Sequence, residues 1–141
     1  MRTLIFRTCA PLIVATMLVF SLYICLRGHN EPGGGFIGGL IAAAAMGVFA
    51  MASGVTATRR ALRVDPLAIA GFGLFIAGLS GVLSLFTGSA FMTSIWLYLG
   101  AGEGAVALST PLVFDLGVYC VVFGTLSGVL LALEDGRGEE L

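Results

Sequence analysis

The sequence predicts an all-α integral membrane protein with four transmembrane helices. Hydrophobic residues make up 58% of the 141 residues and charged residues only 11%, whereas a soluble domain usually carries about 25% charged residues. The mean hydropathy is +1.06. A chain of this composition has too little polar surface to cover itself in water. Four of its apolar runs approach or reach the roughly 20 residues that a helix needs to cross the hydrocarbon core.

The four spans are predicted at residues 9–26, 36–55, 67–86 and 112–133. We expect the chain, residues 1–141, to form a single four-helix transmembrane subunit. Arg2 and Arg7 precede the first apolar run, as they would in a signal peptide. That run is longer than a usual signal-peptide core, and no small-residue cleavage pattern follows it, so we interpret it as a retained span.

The distribution of arginines predicts the orientation in the membrane. Arg27 is the one arginine in the first or third loop, and the other six fall in the second loop and the two terminal tails. Because positively charged residues accumulate on the cytoplasmic side, both termini are predicted to be cytoplasmic. The first and third loops would then face outward.

The third loop, about residues 87–110, contains an apolar stretch that is too short to cross a bilayer, Phe91–Leu99. Trp96 and Tyr98 lie within it, and these residue types favour headgroup depth. We therefore expect an interfacial or re-entrant segment in this loop.

A polar, glycine-rich connector joins the first two spans. It consists of Arg27-Gly28-His29-Asn30-Glu31-Pro32-Gly33-Gly34-Gly35-Phe36-Ile37-Gly38-Gly39. Irregular backbone next to hydrocarbon is tolerated only at the interface, or where protein or a water-filled cavity shields it. The polar groups of this loop therefore need partners, and Arg27, His29 and Glu31 are its ionisable candidates.

Asp115 is the only acidic residue inside a predicted span. An ionisable residue at such a position is a functional candidate, and here it would act in an ion path. Two structural interpretations remain open beside that one. Asp115 can lie at headgroup depth and complement the positive end of the dipole of its own helix, or it can pair with Arg27 or His29 and so join the outer ends of the first and fourth helices.

Small residues recur every four positions in three of the spans. Residues four apart lie on one helix face, so each row forms a flat stripe that another helix can approach closely. The stripes serve either packing within this chain or docking of other chains. Their members are Gly35, Gly39, Ala43 and Gly47, then Gly73, Ala77 and Gly81, and finally Gly124, Gly128 and Ala132.

Several other functions are disfavoured by context. The glycine spacing from Gly33 to Gly38 matches a dinucleotide fingerprint, but it follows a membrane helix rather than a strand, and the chain contains no lysine for a phosphate loop. His29 is the only histidine, so we expect neither a metal site nor a catalytic base with an orienting partner. A net charge of −1 gives no argument for nucleic acid. We predict no cofactor and no enzymatic activity.

Two motifs resemble one known family. The connector at residues 27–39, together with Phe114-Asp115-Leu116-Gly117-Val118-Tyr119 at the start of the last span, is similar to the B subunit of the Mrp/Mnh multisubunit sodium/proton antiporter, the MnhB/MrpB family. The resemblance covers essentially the whole chain, although the third loop matches less well. It implies partners among the A, C, D, E, F and G subunits, transport of Na+ and H+, and a location in a bacterial or archaeal cell (inner) membrane.

The residues themselves limit what this chain would do in such a complex. A proton relay needs a series of titratable groups, and the predicted spans contain no Lys, Arg, His or Glu. We therefore expect an accessory subunit that docks through its glycine stripes, with Asp115 and the loop at residues 29–35 near the outer mouth of a pathway. The alternatives are a purely structural scaffold of a membrane complex, or an independent small oligomeric channel.

Overall fold

The computed structural model describes residues 4–28, 34–86, 96–99 and 106–139. Its secondary structure consists of five helices and two short strands within those residues. In chain order these are α1 (Leu4–Arg27), α2 (Gly34–Ser53), α3 (Val55–Leu62), α4 (Pro66–Phe86), β1 (Trp96–Leu99), β2 (Val106–Ser109) and α5 (Thr110–Glu139).

Within the described residues, four helical segments are long and apolar enough to cross a membrane. They are Leu4–Arg27, Gly34–Ser53, Val55–Leu83 and Thr110–Gly136. The predicted class, an integral membrane protein with four spanning helices, is confirmed. The third segment includes α3 as well as most of α4, because only a short break separates the two helices.

The four long helices pack in the order α1, α2, α5, α4. The last helix, α5, lies between α2 and α4, and α1 packs mainly on α2. The two central helices are therefore covered on two sides by other parts of the chain. The flanking helices carry most of the exposed large apolar side chains, among them Leu12 and Val19 of α1 and Leu67, Leu74 and Phe75 of α4. Such surfaces are stable in contact with lipid tails or other membrane proteins.

Glycines set the close contact between α4 and α5. A Cβ atom built on Gly73 would lie 2.6 Å from the Cβ atom of Cys120 and 2.6 Å from the carbonyl oxygen of Gly117. In the opposite direction, a Cβ on Gly117 would lie 2.8 Å from the backbone nitrogen of Ala77. Real Cβ atoms do not approach other atoms so closely, so backbone contact at this crossing requires residues without side chains.

The sequence-predicted stripes thus meet other helices of the same chain. Gly39 and Gly47 of α2 face Val122 and Leu130 of α5, and Ala43 between them is buried. Gly124 and Gly128 of α5 face the first turn of α4, whose own row contributes Gly73, Ala77 and the buried Gly81. The sequence left open whether the stripes serve packing within this chain or docking of other chains. These positions favour packing within the chain.

A short helix, α3, connects α2 to α4. Gly54, which precedes it, has a φ of 92°, and Arg63, which follows it, has a φ of 59°. The first angle suits only glycine without strain, and the second is the left-handed conformation that often ends a helix. Asp65 then accepts a hydrogen bond from the backbone N–H of Leu67 at 2.8 Å and so caps the start of α4.

Part of the third loop forms a β-hairpin. Strands β1 and β2 pair antiparallel, with Trp96 opposite Ser109 and Leu99 opposite Val106. Sequence reasoning predicted an interfacial or re-entrant segment over Phe91–Leu99 and did not predict this pairing. The composition of the segment indicates only that it is apolar. Residues 96–99 form a strand because they pair with β2, which comes later in the chain. The beginning of that segment, residues 91–95, lies outside the described residues.

The contact at Gly73 leads to a prediction with a control on the same helix. Gly73→Ala should lower the free energy of unfolding by about 1–3 kcal/mol, the usual cost of overpacking, because the new methyl group meets backbone atoms of α5. Gly78→Ala should be neutral or slightly stabilising, because no described atom lies within 4 Å of a Cβ at Gly78. Both values can be measured by titrating the purified chain with SDS in mixed micelles. Equal stability of the two variants would contradict the packing described here.

Candidate functional site

Three helices converge where α1 ends and α2 begins. Gly28 follows the last residue of α1, Gly34 and Gly35 open α2, and Asp115 lies in the second turn of α5. Asp115 is about 8 Å along the helix axis from Thr110, the first residue of α5, at 1.5 Å per residue. The site therefore lies near one end of the helix row rather than at its middle.

The carboxylate of Asp115 accepts a hydrogen bond from the backbone N–H of Gly35. The two carboxylate oxygens lie at equal distances of 2.9 Å from that nitrogen. The N–H of Gly35 belongs to the first turn of α2, where backbone donors have no partner within their own helix. Asp115 therefore caps a helix other than its own, and its negative charge lies at the positive end of the α2 dipole.

Only glycine fits at the positions opposite Asp115. A Cβ on Gly35 would lie 2.5 Å from Oδ1 of Asp115 and would also collide with the backbone carbonyl of that residue. A Cβ on Gly34 would collide with the Cα atom of Gly28 and lie 2.9 Å from Oδ2 of Asp115. The carboxylate can reach the start of α2 because these side chains are missing.

This geometry gives Asp115 a structural contact with a helix other than its own, which the sequence did not predict. The carboxylate of Asp115 meets the N-terminus of α2 through the N–H of Gly35. The pairing of Asp115 with Arg27 or His29 stays a prediction, and His29 lies outside the described residues. Phe36 of the same motif is exposed. The other candidates of the loop, His29, Asn30, Glu31, Pro32 and Gly33, lie outside the described residues.

A second polar contact lies one helical turn deeper. The hydroxyl groups of Ser21 in α1 and Tyr119 in α5 are 2.9 Å apart, and Ser21 also donates to the backbone carbonyl of Leu18 at 3.0 Å. Gly38 of α2 lies beside this contact, since its missing Cβ would be 2.7 Å from the Ser21 carbonyl oxygen and 3.2 Å from Tyr119. The hydroxyl contact therefore connects α1 to α5 across a glycine of α2.

Sequence reasoning did not identify Ser21 and did not assign a role to Tyr119. A lone serine or tyrosine in an apolar run is common in membrane helices, and neither carries a charge that would mark it. A second glycine row, Gly34 and Gly38, is displaced by one residue from the predicted row of Gly35 and Gly39. Its presence was the available signal that α2 contacts two helices at this end.

Apolar side chains close the junction on its inner side. Val14, Ala45 and Met46 form a buried cluster, with Leu18 and Phe123 among the side chains packed against it. Val14 precedes Ser21 by two helical turns, which is about 10 Å along α1. The polar groups of Asp115, Tyr119 and Ser21 thus extend only partway into the helix row.

The described residues of this junction offer hydrogen bonding and charge. Among the residues that the structure describes, no group of three or more His, Cys, Asp or Glu side chains could hold a metal ion. The carboxylate of Asp115 is half-buried and its hydrogen bond fixes its direction. It can stabilise the fold as a cap and can present a negative potential at this end of the chain.

Sequence comparisons give the relatives of the chain. Residues 5–128 match the model of a family described as a domain related to the MnhB subunit of Na+/H+ antiporter. The chain is 38% identical to the B subunit of the Na+/H+ antiporter of Bacillus subtilis (strain 168), over 97% of this chain and 94% of that protein. It is 34% identical to the corresponding B subunit of Alkalihalophilus pseudofirmus, over 91% and 90% of the two chains.

A solved structure has the same fold. The chain superimposes with a TM-score of 0.78 and 33% identity on part of the Mrp complex from Dietzia sp. DQ12-45-1b. The match covers 92% of this chain and 14% of the matched chain, so the fold is a small part of a much longer polypeptide there. These relatives are components of a transporter.

The cap at Gly35 predicts an order of stability among Asp115 variants. Asp115→Ala should lower the unfolding free energy by about 1–3 kcal/mol, because the N–H of Gly35 loses its partner. Asp115→Asn should cost less, about 0.3–1 kcal/mol, because an amide oxygen still accepts the hydrogen bond while the interaction of the charge with the helix dipole is lost. SDS titration of the purified chain measures both values.

Asp135→Asn is the matched control on the same helix. Asp135 is 65% exposed and lies 3.8 Å from Arg59, and exposed ion pairs of this kind contribute about 0–1 kcal/mol. If Asp115→Ala proved no more damaging than Asp135→Asn, the capping role would be refuted.

Proposed function

The chain belongs to the family of domains related to the MnhB subunit of the Na+/H+ antiporter, and from this membership we propose that it is a membrane component of a multisubunit cation/proton antiporter. The observation that carries the proposal is the family match over residues 5–128 together with the superposition on the Mrp complex. Four helices long and apolar enough for a membrane support it. The proposal treats residues 1–141 as one functional unit.

The proposed partners are the A, C, D, E, F and G subunits of the antiporter, and the proposed transported ions are Na+ and H+. We place the chain in a bacterial or archaeal cell membrane with both termini in the cytoplasm. The ion pair between Arg59 and Asp135 supports this orientation, because it brings the arginine-rich second loop and the end of α5 to the same side. Positive residues collected at one end favour the cytoplasmic side.

The contribution proposed for this chain is accessory rather than that of the main ion conduit. Transport sites need ionisable or coordinating groups near the middle of the membrane. Here the one acidic residue of the predicted spans is near a helix end and is engaged by Gly35. Farther along the helices, toward the middle of the helix row, the polar contacts of the junction are followed by the apolar cluster of Val14, Ala45 and Met46. The proposed path for ions therefore runs mainly through the partner proteins.

Two roles remain for Asp115 within this proposal. As a cap on α2 it would fix the mutual position of α1, α2 and α5, which is a scaffold role and is favoured by its short contacts to Gly35. As a half-buried negative group near the outer mouth it would also raise the local concentration of cations. The first role depends on the hydrogen bond, whereas the second depends on the charge.

The accessory role predicts a difference between the chain alone and the complex. Purification from native membrane in mild detergent should recover the chain together with other membrane proteins of the antiporter. Liposomes that contain the purified chain alone should show no exchange of sodium for protons, whereas liposomes that contain the complex should. Exchange can be followed with a pH-sensitive dye after a sodium pulse. Antiport by the isolated chain, or purification without partners, would overturn the proposal.

Substitution of Asp115 separates the two roles in the assembled complex. If the charge acts at the pathway mouth, Asp115→Asn should leave assembly near normal, while sodium/proton exchange in everted vesicles slows or shifts its pH optimum. If only the cap matters, Asp115→Asn should behave like the control Asp135→Asn, and Asp115→Ala should reduce the amount of assembled complex. Rates are normalised to complex content, so that lost assembly is not mistaken for lost transport.

A further inference from the structure

The short helix α3 and the residue that ends it carry a positively charged surface. Arg60 and Arg63 are exposed, and neither guanidinium has a hydrogen bond or ion pair within the described part of the chain. Arg60 lies in the last turn of α3, and Arg63 follows the helix in the left-handed conformation that ends it. Arg59 differs from them because it faces α5 and pairs with Asp135 at 3.8 Å.

Large apolar side chains adjoin these two arginines. Val64 is 52% exposed and Leu67 is 71% exposed. The opposite side of α3 packs against the protein, since Thr58 is fully buried. The surface formed by Arg60, Arg63, Val64 and Leu67, here called the α3 surface, is therefore held in place and combines cationic with apolar groups.

The lengths of the neighbouring helices indicate the depth of the α3 surface. Helix α2 has 20 residues and α4 has 21, so each is about 30 Å long, close to the thickness of the hydrocarbon core. Because α4 is long enough to cross the hydrocarbon core without α3, we assign α3, which lies between the end of α2 and the start of α4, to the boundary of hydrocarbon and headgroups. Apolar side chains there enter the bilayer while guanidinium groups reach the phosphate layer.

The charges around the α3 surface favour an anionic occupant. Asp65 is a nearby acid that accepts a hydrogen bond from the N–H of Leu67 and keeps its negative charge, so Arg60 and Arg63 together exceed it by one positive charge. The pair of Arg59 and Asp135 contributes no net charge. A guanidinium binds phosphate oxygens with two parallel N–H donors, and an acyl chain beside the phosphate would contact Val64 and Leu67. A phospholipid carries both a phosphate group and acyl chains.

We propose that the α3 surface binds the headgroup of an anionic phospholipid, with Arg60 and Arg63 on the phosphate and Val64 and Leu67 against the acyl chains. Each guanidinium near a membrane surface is worth about 1 kcal/mol of attraction to anionic lipid, or roughly fivefold in preference. The lipid would anchor the turn between α2 and α4 and so hold the start of α4, a helix that packs mainly on α5. This proposal does not depend on the antiporter assignment.

Photo-crosslinking in the native membrane tests the proposal on the assembled protein. Benzoylphenylalanine is introduced at Val64, and mass spectrometry identifies the adducts formed on irradiation. The matched control is the same probe at Leu74, which is 67% exposed on α4 and samples lipid tails in the bilayer without regard to headgroup. The expected result is a phospholipid adduct at Val64 whose anionic fraction exceeds that at Leu74.

Arginine variants then separate the phosphate contact from general lipid contact. With the probe at Val64, Arg60→Gln and Arg63→Gln should each reduce the anionic enrichment by about fivefold. Arg59→Gln removes the same charge, but from a paired arginine, and should leave the enrichment near its original value. The proposal is overturned if the adduct at Val64 is a protein, if its lipids match those at Leu74, or if all three arginine variants behave alike.

Discussion

Contact between helix backbones is the constraint on which the rest of this structure depends. Lipid tails are as apolar as leucine side chains, so membrane helices gain little by burying apolar surface against each other and associate mainly through close packing and hydrogen bonds. In this chain α5 approaches α2 and α4 where glycines leave no room for a Cβ atom, at Gly35 and Gly39 on one side and at Gly73 on the other. The polar contacts of Asp115 and Tyr119 with the neighbouring helices are made within this framework.

The capping of α2 by Asp115 shows what this closeness permits. A carboxylate is costly near hydrocarbon unless it finds donors, and the N–H of Gly35 is a donor that α2 cannot satisfy by itself. One hydrogen bond of 2.9 Å gives the carboxylate a donor and the N–H of Gly35 an acceptor. This bond can form only because Gly34 and Gly35 carry no side chain. The glycine-rich motif and the aspartate, 80 positions apart in the chain, are therefore parts of one junction.

The two ends of the helix row have different chemistry, which suits a protein placed between partners. One end holds a half-buried carboxylate above a short polar contact of Ser21 and Tyr119, and apolar side chains close it below. The other end carries exposed arginines on α3 beside large apolar residues. These features fit the proposed accessory role, in which the chain positions its neighbours and shapes the potential at an entrance rather than carrying ions across.

The sequence by itself determined the membrane class and the approximate limits of the four spans, because hydropathy depends on composition over about 20 residues and not on partners. It also marked Asp115 as unusual and predicted close packing along the glycine rows. The tertiary structure decided which helix each row faces, that Asp115 meets Gly35 of α2, and that Ser21 meets Tyr119. It also revealed the hairpin of β1 and β2. These features depend on pairs of residues that are far apart in the sequence. The pairs meet because the helices pack in the order α1, α2, α5, α4, and this order depends on how whole helix faces fit together.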